Sequence, residues 1–190
     1  MRVQNPFLLL AALGAAVAQP PSPRLPAPYH TPSASNAPTV VSRPDGAQLR
    51  LPPGFSIEEF ASGFERPRYM IYGPSGEILL SDSAKRGRVY ALAGGAKKEV
   101  LAGLDRPFGL ALWKDYLYVA EATSVKRYKY DRKTMSASAG EEVIPLAGHG
   151  EGHWTRTILF DPKGEKLYLS VGSRSNVSPG EAEIRATITR

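Results

Sequence analysis

From residue 54 onward, apolar positions come in short bursts with alternating polar neighbours, separated by turns such as Pro74-Ser75-Gly76, Asp161-Pro162 and Pro162-Lys163-Gly164. The period is that of strands. The pattern predicts nine of them: Tyr69–Tyr72, Ile78–Asp82, Arg88–Leu92, Gly109–Trp113, Tyr116–Glu121, Val125–Tyr130, Thr157–Phe160, Leu167–Val171 and Ala186–Thr189. No window long enough for a helix carries an apolar stripe at helical spacing.

The bursts repeat. Glu65-Arg66-Pro67-Arg68-Tyr69-Met70 returns forty residues later as Asp105-Arg106-Pro107-Phe108-Gly109-Leu110. Each copy is followed by an apolar strand, a turn, a second strand and a third carrying basic residues. A looser copy starts at His153-Trp154-Thr155-Arg156 and runs through Ile158-Leu159-Phe160, the Asp161 to Gly164 turn and Leu167-Tyr168-Leu169. A period of roughly 40 to 50 residues with about four short strands per unit is the pattern of β-propeller blades. The expected fold is therefore all-β, a β-propeller of which this chain holds about three blades; a sandwich or meander with chance likeness between strands is the alternative.

Residues before 54 belong to other regimes. Arg2, the apolar run Phe7 to Ala18 and the small residues of Ala16-Val17-Ala18 have the form of a signal peptide over residues 1–18, cleaved to start the mature chain at Gln19. The run is too short to span a bilayer as a permanent helix; a buried N-terminal helix is the other reading. Residues 19–53 hold ten of the 17 prolines and read as an extended Pro-rich linker, in which His30 is assigned no role. Residues 54–190 remain for the partial propeller. A periplasmic or secreted location is the expectation.

Composition narrows the chemistry. With 42% hydrophobic and 22% charged residues the 190-residue chain is in the soluble globular class. It has no cysteine, which excludes disulfides, thiolate metal sites and Cys nucleophiles. The net charge of +6 is spread among carboxylates without a basic stripe or base-stacking motif, so nucleic acid is not an expected partner. His149, Glu151 and His153 lie close together, but in a Gly-rich loop their spacing does not set both imidazoles on one helix face, and no metal-ligating residue is assigned.

Leu51-Pro52-Pro53-Gly54-Phe55-Ser56-Ile57, Arg106-Pro107-Phe108-Gly109-Leu110-Ala111, Gly152-His153-Trp154-Thr155-Arg156 and Leu167 to Asn176 together resemble the glucose/sorbosone dehydrogenase family. These are soluble quinoproteins that use pyrroloquinoline quinone (PQQ). The likeness runs over residues 51–190. It implies a six-bladed propeller, exported to the periplasm, that oxidises the anomeric carbon of an aldose or related aldehyde. Hydride passes to PQQ, calcium polarises the quinone, and electrons leave to a separate acceptor.

Within that resemblance His153 matches the catalytic base, a role that needs a group titrating near working pH; by its residues alone, a histidine at a strand start is more often a turn or capping residue. Arg156, Ser173, Arg174 and Asn176 fall near the expected site, with Ser173 and Asn176 available to hydrogen-bond cofactor or sugar. An ordinary polar loop over 172–178 is the plainer reading. Arg106 is expected beside the cofactor, although its duplicate Arg66 also suits a packing or ion-pairing role between blades. Asn176-Val177-Ser178 matches a glycosylation acceptor and is treated as coincidence.

Family members run to more than twice the length of residues 54–190. The segments that supply their Arg-Asn substrate pair, calcium ligands and later PQQ-binding residues have no counterpart here. The expectation is a truncated PQQ-dependent sugar dehydrogenase. A non-catalytic half-propeller, self-assembling through its two open sheet edges or acting as a binding scaffold, is the alternative. A lactone-hydrolysing propeller would share the architecture, but its carboxylate and Asn metal set is not evident.

Overall fold

The computed structural model describes residues 24, 27, 36–176 and 180–190. The expected signal peptide and His30 lie outside the described residues, as does most of the first half of the expected linker. Among the described residues there is no helix, and none long and apolar enough to cross a membrane. Residues 36–66 carry no strand.

Among the described residues twelve strands form three antiparallel sheets. The first contains β1 (Pro67–Tyr72), β2 (Ile78–Asp82), β3 (Gly87–Ala93) and β4 (Ala96–Leu104) in that spatial order. The second contains β5 (Leu110–Trp113), β6 (Tyr116–Ala120) and β7 (Ser124–Asp131); the far end of β7 pairs with β8 (Ser136–Ala137) and its near end with β9 (Glu141–Pro145). The third contains β10 (Ile158–Phe160), β11 (Leu167–Val171) and β12 (Thr187–Thr189). These are three blades of a β-propeller, each starting at its inner strand, and β5 packs between β1 and β10.

All nine expected strands are present, with ends shifted by at most two residues. Ala186, expected to open the last strand, adopts a left-handed φ of 53° and precedes it. Strands β4, β8 and β9 were not expected, since these outer strands offer water much of their surface and do not alternate cleanly. The β3–β4 hairpin turns through Gly94 and Gly95, at φ 55° and 79°, the positive pair that a tight two-residue hairpin requires.

Two cores lie between the blades. Leu79, Val89, Ala91 and Leu104 of blade 1 meet Leu110, Leu117, Val119, Tyr128 and Tyr130 of blade 2. Ala111, Tyr118, Ala120 and Val125 of blade 2 meet Ile158, Leu169 and Val171 of blade 3. The period of two sends Leu117 and Val119 into one core and Tyr118 and Ala120 into the other, so β6 is buried on both faces. A fully buried Leu or Val contributes about 1.5–3 kcal/mol. On the outer flanks, Met70 and Tyr72 of β1 and Leu159 and Ile188 of blade 3 are exposed.

Candidate functional site

One end of the blades is built from two kinds of loop. Loops 105–109 and 146–157 carry the chain from an outer strand to the next inner strand; loops 83–86 and 121–123, and in blade 3 residues 172–176 and 180–186, follow the second strand of each blade. The ladders align them. Met70 pairs with Leu80, Leu110 with Val119 and Ile158 with Leu169, so Glu65, Asp105 and His153 fall at one repeat position. Arg66, Arg106 and Trp154 occupy the next. The backbone agrees: Ala120 N–H donates to Gly109 O at 2.8 Å, and the matching Ser170 N–H donates to Thr157 O at 2.9 Å.

Blades 1 and 2 tie these loops down with a carboxylate at the end of the second strand. Asp82 accepts the backbone N–H groups of Glu65 (2.9 Å) and Arg66 (2.5 Å), and Glu121 accepts that of Asp105 at 2.6 Å. At that position blade 3 has Val171, whose side chain goes into the core. His153 N–H donates instead to the Ser173 carbonyl at 3.0 Å. Beside it, Gly172 leaves room: a Cβ there would sit 2.5 Å from His153 O and 2.6 Å from His153 Cβ.

Side chains repeat the comparison. In blade 2 the Thr123 hydroxyl donates to Asp105 Oδ2 at 3.1 Å. In blade 3 the matching hydroxyl, Ser173 Oγ, lies 2.8 Å from His153 Nδ1, with Ser173 O at 3.1 Å. Imidazole has replaced carboxylate in the same slot, and His153 is solvent-exposed.

Arg156 holds this loop from beneath. It is 0% exposed and donates to the carbonyls of His153 and Thr155, each at 2.9 Å, and to that of His149. Arg185, also buried, donates to Glu151 O at 2.9 Å and Gly172 O at 3.3 Å. Burial pushes the Arg156 guanidinium down to about 10, helped by repulsion from Arg185 and Arg106. Arg156 thus does not line the open surface beside His153; its guanidinium is engaged with its own loop.

Arg106, at a left-handed φ of 48°, packs its guanidinium 5.5 Å from the Trp154 ring centre, with Nε 2.9 Å from Asp105 Oδ1. Phe108 meets Trp154 edge-on at 6.3 Å. Burial pushes the Asp105 carboxyl up, but the Arg106 and Thr123 hydrogen bonds and the charges of Arg106 and Lys126 outweigh it, and the group lies below the usual range. Asn176 is exposed and Arg174 donates its N–H to Glu181 (2.8 Å).

The structure therefore brings His153 and Ser173 together with Arg106 nearby, buries Arg156, and leaves Asn176 on the surface. The reading of single residues missed Trp154, Gly172 and Arg185. The signal for Gly172 was the small residue that follows Val171, where the other blades carry Asp82-Ser83 and Glu121-Ala122.

Among the described residues no cluster of three or more His, Asp or Glu could hold a metal ion. A planar, multiply anionic quinone would find cationic and aromatic partners: Arg106 and Arg174 lie on these loops with the Trp154 and Phe108 rings, while Arg66 lies just before β1 and Arg68 on it, its guanidinium over Phe108.

Three repeated blades, with a histidine in one of three equivalent loop slots, define a partial β-propeller. The TrAA12-like family model matches residues 49–189, and the chain belongs to that family. This family is related to the glucose/sorbosone dehydrogenases of the sequence resemblance without being that family itself. An AA12 carbohydrate-active enzyme of Trichoderma reesei is 26% identical with a TM-score of 0.54, over 63% of this chain and 33% of that one. The PQQ domain of pyranose dehydrogenase from Coprinopsis cinerea, 20% identical at a TM-score of 0.52 over 61% of this chain and 30% of that one, shares the fold. An uncharacterised Borreliella burgdorferi protein is 22% identical over 73% of this chain and 39% of its own length. The chain thus spans about a third of the length of these relatives.

Proposed function

We propose that this chain carries part of the site of a PQQ-dependent oxidoreductase acting on a sugar, an aldose or related aldehyde, with His153 as the proton acceptor. The observation that carries the reading is the break in the repeat: an exposed imidazole stands where blade 2 has Asp105, and the carboxylate tie of Asp82 and Glu121 gives way to Val171. Departure from a local rule at one of three equivalent places is what a functional site produces. Family membership and the likeness to the AA12 enzyme support the reaction class.

Arg106 and the neighbouring arginines of the mouth would hold the cofactor's carboxylates, and Trp154 would border its ring. When bound, PQQ supplies a quinone that accepts hydride from the sugar carbon. His153 takes the proton from the hydroxyl oxygen on that carbon, and Arg156 and Arg185 keep the loop beneath the imidazole in place through its carbonyls. Calcium, a separate electron acceptor, and export to the periplasm or medium through residues 1–18 belong to the same reading.

Aldose-dependent dye reduction by the purified chain with added PQQ and calcium tests it. The His153→Ala variant is expected to lose about 10²–10⁴-fold in rate, the usual contribution of a positioned base. Equal rates in both proteins would overturn the assignment. The exposed Met70, Tyr72, Leu159 and Ile188 favour a second reading, a scaffold that self-associates through its outer blades. A folded chain that binds no PQQ and elutes as a dimer would favour that one.

A further inference from the structure

We infer that Ser173 is a positioning residue that holds His153 in the Nδ1–H tautomer and leaves Nε2 as the bare nitrogen available to take a proton; the inference rests on His153 being the base. A serine hydroxyl has one proton to give. Ser173 Oγ donates it to the Ser175 carbonyl at 2.8 Å. Toward His153 Nδ1, at 2.8 Å, the same oxygen can then only accept. The second neighbour of Nδ1, Ser173 O at 3.1 Å, is a carbonyl and also only accepts. Both partners demand a hydrogen on Nδ1, and the neutral ring then carries none on Nε2.

Blade 2 supplies the contrast. There Thr123 donates to the Asp105 carboxylate at 3.1 Å. In blade 3 the direction is reversed, because Ser175 O takes the hydroxyl proton and turns Ser173 into an acceptor. The device needs three features together: the Ser173 hydroxyl, the chain turn that brings Ser175 O within reach, and Gly172, which lets the His153 backbone come close. It matters because the ring of an unconstrained histidine side chain in water favours its hydrogen on Nε2. Without such a partner the exposed nitrogen would more often be the protonated one and unable to accept.

Nitrogen-15 NMR of the full chain without added cofactor or sugar reads the tautomer directly. Its three histidines, His30, His149 and His153, are assigned by comparison with His153→Gln. The expected result is a protonated Nδ1 and an unprotonated Nε2 on His153. Ser173→Ala is expected to raise the Nε2–H population several-fold, and Ser173→Thr, which keeps a hydroxyl, to restore the original ratio. A wild-type His153 that is mainly Nε2–H, or a ratio unchanged in Ser173→Ala, overturns the inference. Since neither cofactor nor turnover enters this measurement, failure of the dye assay alone falsifies the oxidation reading and not the tautomer.

Discussion

Blades 2 and 3 place equivalent residues at the same loop position and put them to different uses. In blade 2, Asp105 is a tie: its N–H is held by Glu121, and its carboxylate takes the Thr123 hydroxyl and the Arg106 guanidinium. In blade 3, His153 has its ring nitrogen engaged on one side by Ser173 and is otherwise open to solvent. A repeat uses the same backbone many times, so chemistry can be added wherever one copy can release its structural residue. Here the release is compensated by Arg156 and Arg185, which gather the loop carbonyls from below. The difference teaches that the buried arginines and the exposed histidine are one arrangement, with the former supplying the order that Glu121 supplies in blade 2.

Among substitutions that leave His153 itself in place, the largest expected effect comes from Gly172→Ala. Its new Cβ would lie 2.5 Å from a backbone atom of His153, so the histidine must move. A displacement near 1 Å costs about 100-fold in rate. Dye reduction checks this, while the matching Ala122 of blade 2 already carries a side chain without harm. An unimpaired Gly172→Ala variant would contradict this contrast between the two blades.

Asp82→Ala should act on stability instead. It orphans the N–H groups of Glu65 and Arg66, and hydrogen bonds to charged groups contribute about 1.5–3 kcal/mol each, partly offset by no longer burying a carboxylate. A loss of about 2 kcal/mol in denaturant unfolding, with the His153 tautomer unchanged, would sharpen the division between tying and working loops.

Asp105→Asn gives the smallest effect and reads the tie by pH. A carboxyl held below its ordinary value of 3.8 contributes stability that is fully present above that value and is lost as pH falls below it. The variant should therefore be less stable than the wild type at neutral pH, and the gap should close in acid. Thermal unfolding at a series of pH values checks it, and a gap that persists at low pH would place the effect outside this ionisation.

Much of the scaffold was legible. Tyr116 to Ala120 alternates into two cores and reads as a strand in any register, and the copies beginning at Glu65, Asp105 and His153 coincide with the positions that the ladders align. Ala96–Leu104 was not legible, because its Lys97, Lys98 and Glu99 are exposed outer-strand residues that bury nothing on alternate positions. Of the site, His153 and Ser173 were singled out from the sequence, but their direct contact was not. Arg156 was expected beside a ligand and is instead fully buried.

The all-β character, the blade period and the place of His153 within the repeat are written in the chain, because they follow from short-range alternation and from turns a few residues long. Only the tertiary structure decided what each polar group faces. Ser173 reaches His153 from twenty residues away and Arg185 reaches Glu151 from thirty-four, so these contacts exist only once separate strands have been packed. No spacing along the chain encodes the direction of a hydrogen bond; here it is set by Ser175 O, which takes the proton that Ser173 would otherwise offer.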